Sequence, residues 1–155
     1  MKRRFLVVTL LLAVCLAPAT AATRQQQVRS NSTKVMPFSM GATMHTFASD
    51  AKGGVMTVVT RKPDSEQQGL IREHLRKEAA AFAAGNYADP SAIHGATMPG
   101  LTALSAGSAR IAVRYLDVPN GGRIVFRSHD AALIAALHRW FAAQGSDHGP
   151  DAMPM

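Results

Sequence analysis

Six histidines and eight methionines are the side chains of this 155-residue chain that could bind a soft metal ion. Met36, Met40 and Met44 recur at every fourth position, and His45 follows the last of them directly. Imidazole and thioether donors together suit copper, and thioether donors favour its cuprous form. The composition therefore predicts copper as the bound metal. The alternative is that these methionines fill gaps in a hydrophobic core, as methionine commonly does.

A second group of candidates lies further along the chain. His94 and Met98 show the same four-residue spacing, in a Gly- and Pro-containing stretch that predicts a loop. Binding residues are concentrated on loops, which makes His94 the strongest single candidate. The alternative is a well-formed turn with an incidental imidazole. Near the C-terminus, His148 lies in a polar stretch that could close around a metal ion.

Two further histidines, His74 and His138, lie beside the apolar stripes of the two long predicted helices. If both helices cover the same face of a sheet, the two imidazoles approach a common interior or its rim. A buried imidazole needs a partner, which could be a carboxylate such as Glu78, a backbone group, a metal or a ligand. The alternative for each is an ordinary histidine at the edge of the core. The predicted metal ligands are therefore His94, Met98, His74, His138, His148, His45, Met44 and Met40.

Enzyme signatures are missing from the sequence. It contains no phosphate-binding loop, no dinucleotide-binding turn and no zinc-protease helix, and no nucleophile–base pair is visible. We therefore predict no catalytic residue and favour a binding protein over an enzyme. The alternative function is a non-enzymatic module that binds a small ligand in a helix-lined pocket, or an envelope protein on an arginine-bearing sheet face. An aromatic content of 6% disfavours nucleic-acid binding.

The N-terminus has the pattern of a secretory signal peptide. Three basic residues at 2–4 precede an apolar run at 5–17, and Ala19-Thr20-Ala21 follows. The pattern predicts cleavage after residue 21 and a periplasmic destination. The apolar run is shorter than the roughly 20 residues that a membrane span needs, so we expect no span after cleavage. A lipoprotein anchor at Cys15 is less favoured, because Val14 stands where a small residue is expected.

Cleavage would change the charge and the thiol content of the chain. Three of the 17 Lys and Arg residues leave with the signal peptide, and all 10 acidic residues remain. The formal charge therefore falls from +7 to +4. The single cysteine leaves as well. Disulfides, thiolate catalysis and iron–sulfur clusters are therefore excluded for the mature chain. Histidine and methionine are the remaining soft ligands.

The elements that must position these residues follow the order β-β-α-(α)-β-β-α. Apolar and polar residues alternate over 43–49 and 55–61, which predicts one strand pair, and over 111–116 and 123–127, which predicts another. The second pair is connected through Asn120-Gly121, where we predict a longer loop. Long helices are predicted at 66–84 and 131–143, with short helical pieces at 89–94 and 101–105. The pattern predicts an α+β fold with a four-stranded, mostly antiparallel sheet and helices on one face.

The ends of these elements carry their own signals. Ser65 and Gln68 match a capping box, and Gly145 is expected to end the last helix. Residues 42–145 are predicted to form a single domain. The polar residues 22–41 and 146–155 lack a periodic apolar pattern, which predicts a flexible mature N-terminus and a flexible tail.

Two stretches of the chain resemble a known group of proteins. The first runs from Leu70-Ile71-Arg72-Glu73-His74-Leu75 through Ile93-His94-Gly95 to Met98-Pro99-Gly100-Leu101, and the second is Leu137-His138-Arg139-Trp140-Phe141 followed by Asp147-His148-Gly149. Together they resemble small exported bacterial proteins of unestablished function, over nearly all of the mature chain. Some members are named aspartate carbamoyltransferase, but the Ser-Thr-Arg-Thr and His-Pro-x-Gln segments of that enzyme do not occur here, and we expect no such activity. The resemblance places His74, His94, His138 and His148 inside the recurring segments.

Overall fold

The computed structural model describes residues 18–152, together with the side chains of residues 24–152. The predicted signal peptide lies mostly outside this range, and so do Cys15 and the last three residues. The helices and strands of the described range are α1 Pro18–Val35, β1 Thr43–Asp50, β2 Gly53–Thr60, α2 Ser65–Ala83, α3 Ala88–His94, α4 Leu101–Ala106, β3 Ile111–Val118, β4 Gly121–Ser128 and α5 Ala131–His148. Within residues 18–152, no helix combines the length and the apolar character needed to cross a membrane.

The four strands form one antiparallel sheet in the order β1-β2-β4-β3. Because side chains alternate along each strand, Phe47, Met56, Ile124 and Phe126 all enter the core from the same face. Helix α2 packs on this face against β3 and β4, and α5 packs on it against β1 and β2. The predicted α+β fold, with helices on one face of a four-stranded antiparallel sheet, is confirmed.

Three local details differ from the sequence-based expectation. The turn between β3 and β4 is short, because Val118 pairs with Gly121 and Asn120 adopts a φ of 62°. Helix α2 is capped by Asp64, whose Oδ1 accepts a hydrogen bond of 3.0 Å from the Gln67 amide, so Ser65 is the first helical residue. Helix α5 continues past Gly145 to His148. A single glycine costs only about 1 kcal/mol in a helix, and the buried side chains beyond it offset that cost.

The segment expected to be a flexible N-terminus, residues 22–41, contains most of helix α1. Its sequence is polar, and the helix is stabilised by contacts with the rest of the domain rather than by an apolar stripe of its own. Val28 and Ser32 are fully buried. Asn31 donates a hydrogen bond of 3.1 Å to the backbone carbonyl of Ile93 in α3. The expectation of a loose segment is therefore corrected: these contacts are tertiary and leave no periodic signal in the sequence.

The expected flexible tail, residues 146–155, is also ordered as far as the structure describes it. Helix α5 ends at His148, and a 3-10 turn follows over Gly149–Asp151. Asp151 is buried and forms an ion pair of 2.7 Å with Arg29 of α1. Ala152 forms a parallel bridge with His45 on β1. The C-terminal segment therefore lies against β1 and α1, beside one of the predicted metal ligands.

Candidate metal centre

A small cavity lies between the inner face of the sheet and the helices that cover it. Its volume is about 30 Å³, which gives room for one or two water-sized occupants. Four of the six histidines line this cavity, and so do the thioethers Met36 and Met56. The four imidazoles come from four elements: His45 from β1, His74 from α2, His94 from the end of α3 and His148 from the end of α5.

Local backbone rules place these imidazoles at the cavity. Alternation along β1 directs Thr43, His45 and Phe47 to the same buried face of the sheet. Helix α3 ends at His94 because Gly95 takes a φ of 91°, a region that favours glycine. Gly149, with a φ of 53°, ends α5 directly after His148 in the same way. Two of the four imidazoles therefore lie in the last turn of a helix.

Three of the imidazoles form a compact group, the three-histidine cluster of His45, His94 and His148. The ring centres of His45 and His148 are 4.8 Å apart, and those of His94 and His148 are 5.0 Å apart. Imidazoles that share one ion, with metal–nitrogen bonds of about 2.0–2.1 Å, have ring centres roughly 5 Å apart. The donor nitrogens do not all lie within 4.8 Å of one another. A shared ion would therefore require the rings to rotate about their Cβ–Cγ bonds.

The orientation of His94 is fixed by a carboxylate and an arginine. Asp147 Oδ2 lies 2.9 Å from His94 Nδ1. Arg24 donates to both oxygens of Asp147, at 3.0 and 2.6 Å, and to the backbone carbonyl of His94 at 2.7 Å. Burial alone would raise the pKa of Asp147, but the hydrogen bonds from Arg24 and His94 lower it below its usual value. An ionised carboxylate only accepts hydrogen bonds, so Nδ1 of His94 carries the proton and Nε2 has the free lone pair.

The protonation states of the cluster suit metal binding. Burial, reinforced by the neighbouring imidazoles, lowers the pKa of His45 to about 4 and that of His148 to about 2. Burial also lowers the pKa of His94, although Asp147 opposes this effect. All three imidazoles are therefore neutral at neutral pH. A neutral imidazole has the lone pair that a metal ion needs and releases no proton to bind it.

A second donor group, the His–carboxylate group, consists of His74, Glu78 and Asp89. One donor atom from each of the three residues lies within 4.8 Å of the other two, and all three residues line the same cavity. Burial and the nearby Asp89 carboxylate raise the pKa of Glu78 to about 7. Burial lowers the pKa of His74. Phe38 contacts both donor groups, with its ring centre 6.0 Å from His45 and 5.7 Å from His74.

Two hydrogen-bond donors on α5 also reach the cavity. Nε1 of Trp140 and Nε2 of Gln144 are buried and have no hydrogen-bond partner among the described residues. Gln144 is 5% exposed and Trp140 is fully buried. An unpaired buried donor costs about 1–3 kcal/mol. These two groups can therefore stabilise an oxygen atom bound in the cavity.

The other predicted ligands lie elsewhere. Met98 is buried in the core and borders a separate surface pocket that His94 also reaches. Met40 is buried beside α1 and the C-terminal segment, and Met44 lies on the outer side of β1. His138 donates through Nε2 to backbone carbonyls at the β1–β2 turn, at 3.0 and 3.1 Å. The expected meeting of His74 and His138 does not occur, because His138 lies over that turn.

Three residues of the site carried no usable signal in the sequence. Asp147 precedes His148, but the side chains of neighbouring helical residues point about 100° apart. Its carboxylate therefore points away from His148 and contacts His94. Arg24 belongs to the segment expected to be loose. The sequence marks Asp89 only as the start of a short predicted helix, whereas it offers Glu78 as a candidate partner for His74.

Comparison of the chain with protein-family models, with curated proteins and with solved structures finds no match. The case for a function therefore rests on the residues and their geometry.

Proposed function

We propose that this chain is an exported protein that binds copper through the three-histidine cluster, in metal handling or tolerance in the periplasm. The observation that carries the proposal is the convergence of three buried, neutral imidazoles on one small cavity. The three residues come from β1, α3 and α5. A structural role for one buried histidine is common, but a core gains nothing from three adjacent imidazoles that each require a hydrogen-bond partner.

The donor set favours copper among the common metal ions. Imidazole nitrogen suits copper, zinc, nickel and iron, whereas calcium and magnesium prefer oxygen. The thioethers of Met36 and Met56 line the same cavity and add a donor type that selects the cuprous ion. Met36 belongs to the predicted methionine series, so part of that series does reach the cavity. The cavity is small and therefore fits a single ion better than an organic ligand.

Asp147 and Arg24 would act on the metal through His94. A carboxylate that accepts a hydrogen bond from the outer nitrogen of a ligating imidazole fixes its orientation and raises its basicity. Asp147 occupies this position, and Arg24 fixes Asp147 in turn. The geometry therefore supports a preorganised ligand at His94. His45 and His148 complete the donor set.

The first test is metal analysis of the mature chain purified from a bacterial periplasm, followed by titration of the metal-free protein with Cu(I). We expect one copper ion per chain. His94→Ala is expected to weaken binding at least 100-fold, and His148→Ala to do the same. His129→Ala is the matched control, because His129 is exposed and belongs to neither donor group. A failure to bind copper, or stoichiometric binding that survives both cluster substitutions, would overturn the proposal.

A second test separates ligand orientation from ligand removal. Asp147→Asn keeps the size of the side chain but removes its charge, and we expect copper affinity to fall about 10- to 100-fold. The change should leave one copper site per chain, because the three imidazoles are retained. An affinity equal to that of the unmodified protein would show that Asp147 does not act on the metal.

A further inference from the structure

We propose that the His–carboxylate group, His74, Glu78 and Asp89, is a second metal site and that it binds a zinc ion. This site is separate from the proposed copper site in its residues and in its donor chemistry. It has one nitrogen and two oxygen donors, whereas the three-histidine cluster has three nitrogens. The proposal does not depend on copper binding.

The backbone brings these three side chains together. His74 and Glu78 are four residues apart on α2 and therefore lie one above the other on the same helix face. Asp89 is in the first turn of α3. A donor atom from each residue lies within 4.8 Å of the other two. This is the one group of three or more such donors among residues 18–152 that is this compact.

The carboxylates of this group have no basic partner among the described residues. Glu78 is 5% exposed and His74 is 6% exposed. Among the described residues, no Lys or Arg side chain forms an ion pair with Glu78 or Asp89. A buried carboxyl group beside a half-buried one is unfavourable when both are ionised. A divalent cation between them would neutralise this charge and use the lone pair of His74.

The unpartnered donors on α5 point to an additional ligand on that ion. Gln144 and Trp140 line the same cavity, and their buried N–H groups have no partner among the described residues. An N–H group cannot bind a cation, but it can donate to a water molecule or hydroxide bound to one. Three protein ligands and one water make the four-coordinate arrangement that zinc adopts at open sites. The cavity of about 30 Å³ has room for the zinc ion and its water when no copper ion is bound there.

The donor types select zinc over copper at this site. Cuprous copper prefers thioether and imidazole, whereas carboxylate oxygen and imidazole together are ordinary zinc ligands. The two sites should therefore differ in metal preference within one protein. Because both donor groups line the same cavity, each site is tested by titrating the metal-free chain with one metal alone.

The test is titration of the metal-free mature chain with Zn²⁺, monitored by calorimetry. We expect one zinc ion per chain, with affinity at least 100-fold weaker in Glu78→Gln and in Asp89→Asn. Glu73→Gln is the matched control, because Glu73 is exposed on the same helix, and it should change the affinity less than threefold. Circular dichroism of each variant establishes that the fold is kept, and Asp89→Asn serves if Glu78→Gln does not fold.

The outcomes separate this proposal from the copper proposal. His94→Ala should weaken copper binding at least 100-fold and leave zinc binding within threefold of the original value. Glu78→Gln should weaken zinc binding at least 100-fold and leave copper binding within threefold. Zinc binding that is lost in His94→Ala but kept in Glu78→Gln would assign zinc to the three-histidine cluster and overturn the second site. A folded chain that binds no zinc, or binds it equally well in both carboxylate variants, would overturn it too. A chain that binds zinc as expected but binds no copper would overturn the copper proposal and support the zinc site.

Discussion

His148→Phe should make the metal-free protein less sensitive to acid. The imidazole of His148 is 5% exposed and stacks on Phe47, with ring centres 5.7 Å apart and planes 15° apart. It also lies 4.8 Å from the ring of His45. Phenylalanine can keep the stacking on Phe47 but cannot take up a proton. The substitution therefore removes one titrating group while keeping most of the packing.

The magnitude follows from the pKa of His148, which burial lowers from 6.5 to about 2 in the folded protein. Above pH 6.5 neither the folded nor the unfolded chain is protonated at this residue, so it adds no pH dependence there. Below pH 6.5 the unfolded chain binds a proton that the folded chain does not, and the free energy of unfolding falls by about 1.4 kcal/mol per pH unit. Between pH 6.5 and pH 4.5 this one histidine should cost about 3 kcal/mol.

Other groups titrate in the same range, and a difference measurement separates most of their effect from that of His148. His45 acts in the same direction as His148, because its pKa is lowered to about 4. Glu78 acts in the opposite direction, because a carboxyl whose pKa is raised to about 7 stabilises the fold at low pH and loses that contribution as the pH rises. Both groups are present in the original protein and in the variant. Their own titrations therefore contribute to both curves, and the difference reports on His148 together with its coupling to the adjacent His45 ring.

The assay is urea denaturation of both proteins, free of metal, at pH 7.5, 6.5, 5.5 and 4.5. Relative to pH 7.5, the variant should retain about 3 kcal/mol more of its unfolding free energy at pH 4.5 than the original protein does. His129→Gln is the control, since His129 is exposed, and its stability curve should run parallel to that of the original protein. Parallel curves for His148→Phe and the original protein would refute the argument, because they would mean that His148 takes up its proton in the folded state.

Three further predictions concern stability away from the cavity. Asp64→Ala should lower the free energy of unfolding by about 1 kcal/mol, whereas Ser65→Ala should change it by less than about 0.5 kcal/mol, because Asp64 and not Ser65 caps α2; equal losses in thermal denaturation would contradict this assignment. Gly100→Ala should cost at least about 2 kcal/mol, because Gly100 has a φ of 86° and a Cβ there would lie 2.3 Å from the carbonyl oxygen of Ala136. Gly69→Ala, on the exposed face of α2 with open space around it, should instead stabilise the protein by about 0.5–1 kcal/mol, so a loss there would count against the helix propensity argument.

The fold was readable from the sequence because its signals are local. Alternating residues over 43–49 and 111–116 predict two strands. The structure buries the inner face of the first and packs the half-buried Val113 and Tyr115 of the second against the core. The stripe through Leu70, Leu75 and Phe82 predicts a long helix, which forms as α2. The same local rules fail at element ends. Asp64 caps α2 through a local hydrogen bond from the Gln67 amide. Helix α5 passes through Gly145 because it continues to the buried His148.

The composition of the candidate site was readable, but its grouping was not. Four of the eight predicted ligands line one cavity, and whether they bind a metal stays a prediction. Spacing along the chain pairs His94 with Met98, whereas the structure places His94 beside His148. These neighbours are far apart in the sequence, and no periodic pattern links them. Their proximity results from the packing of α5 on the sheet and of α3 against α1, which a single sequence does not encode in a visible motif.

The two segments expected to be flexible are the ones that complete the three-histidine cluster. Helix α1 supplies Arg24, which fixes Asp147 and through it His94. The C-terminal turn places Ala152 against the backbone of His45 and directly follows His148. Ordering a polar segment costs about 1–2 kcal/mol per residue in backbone entropy, so each segment requires specific contacts to offset that cost. Those contacts converge on the residues proposed as metal ligands. The contacts that order both ends of the domain therefore also fix the geometry of the site.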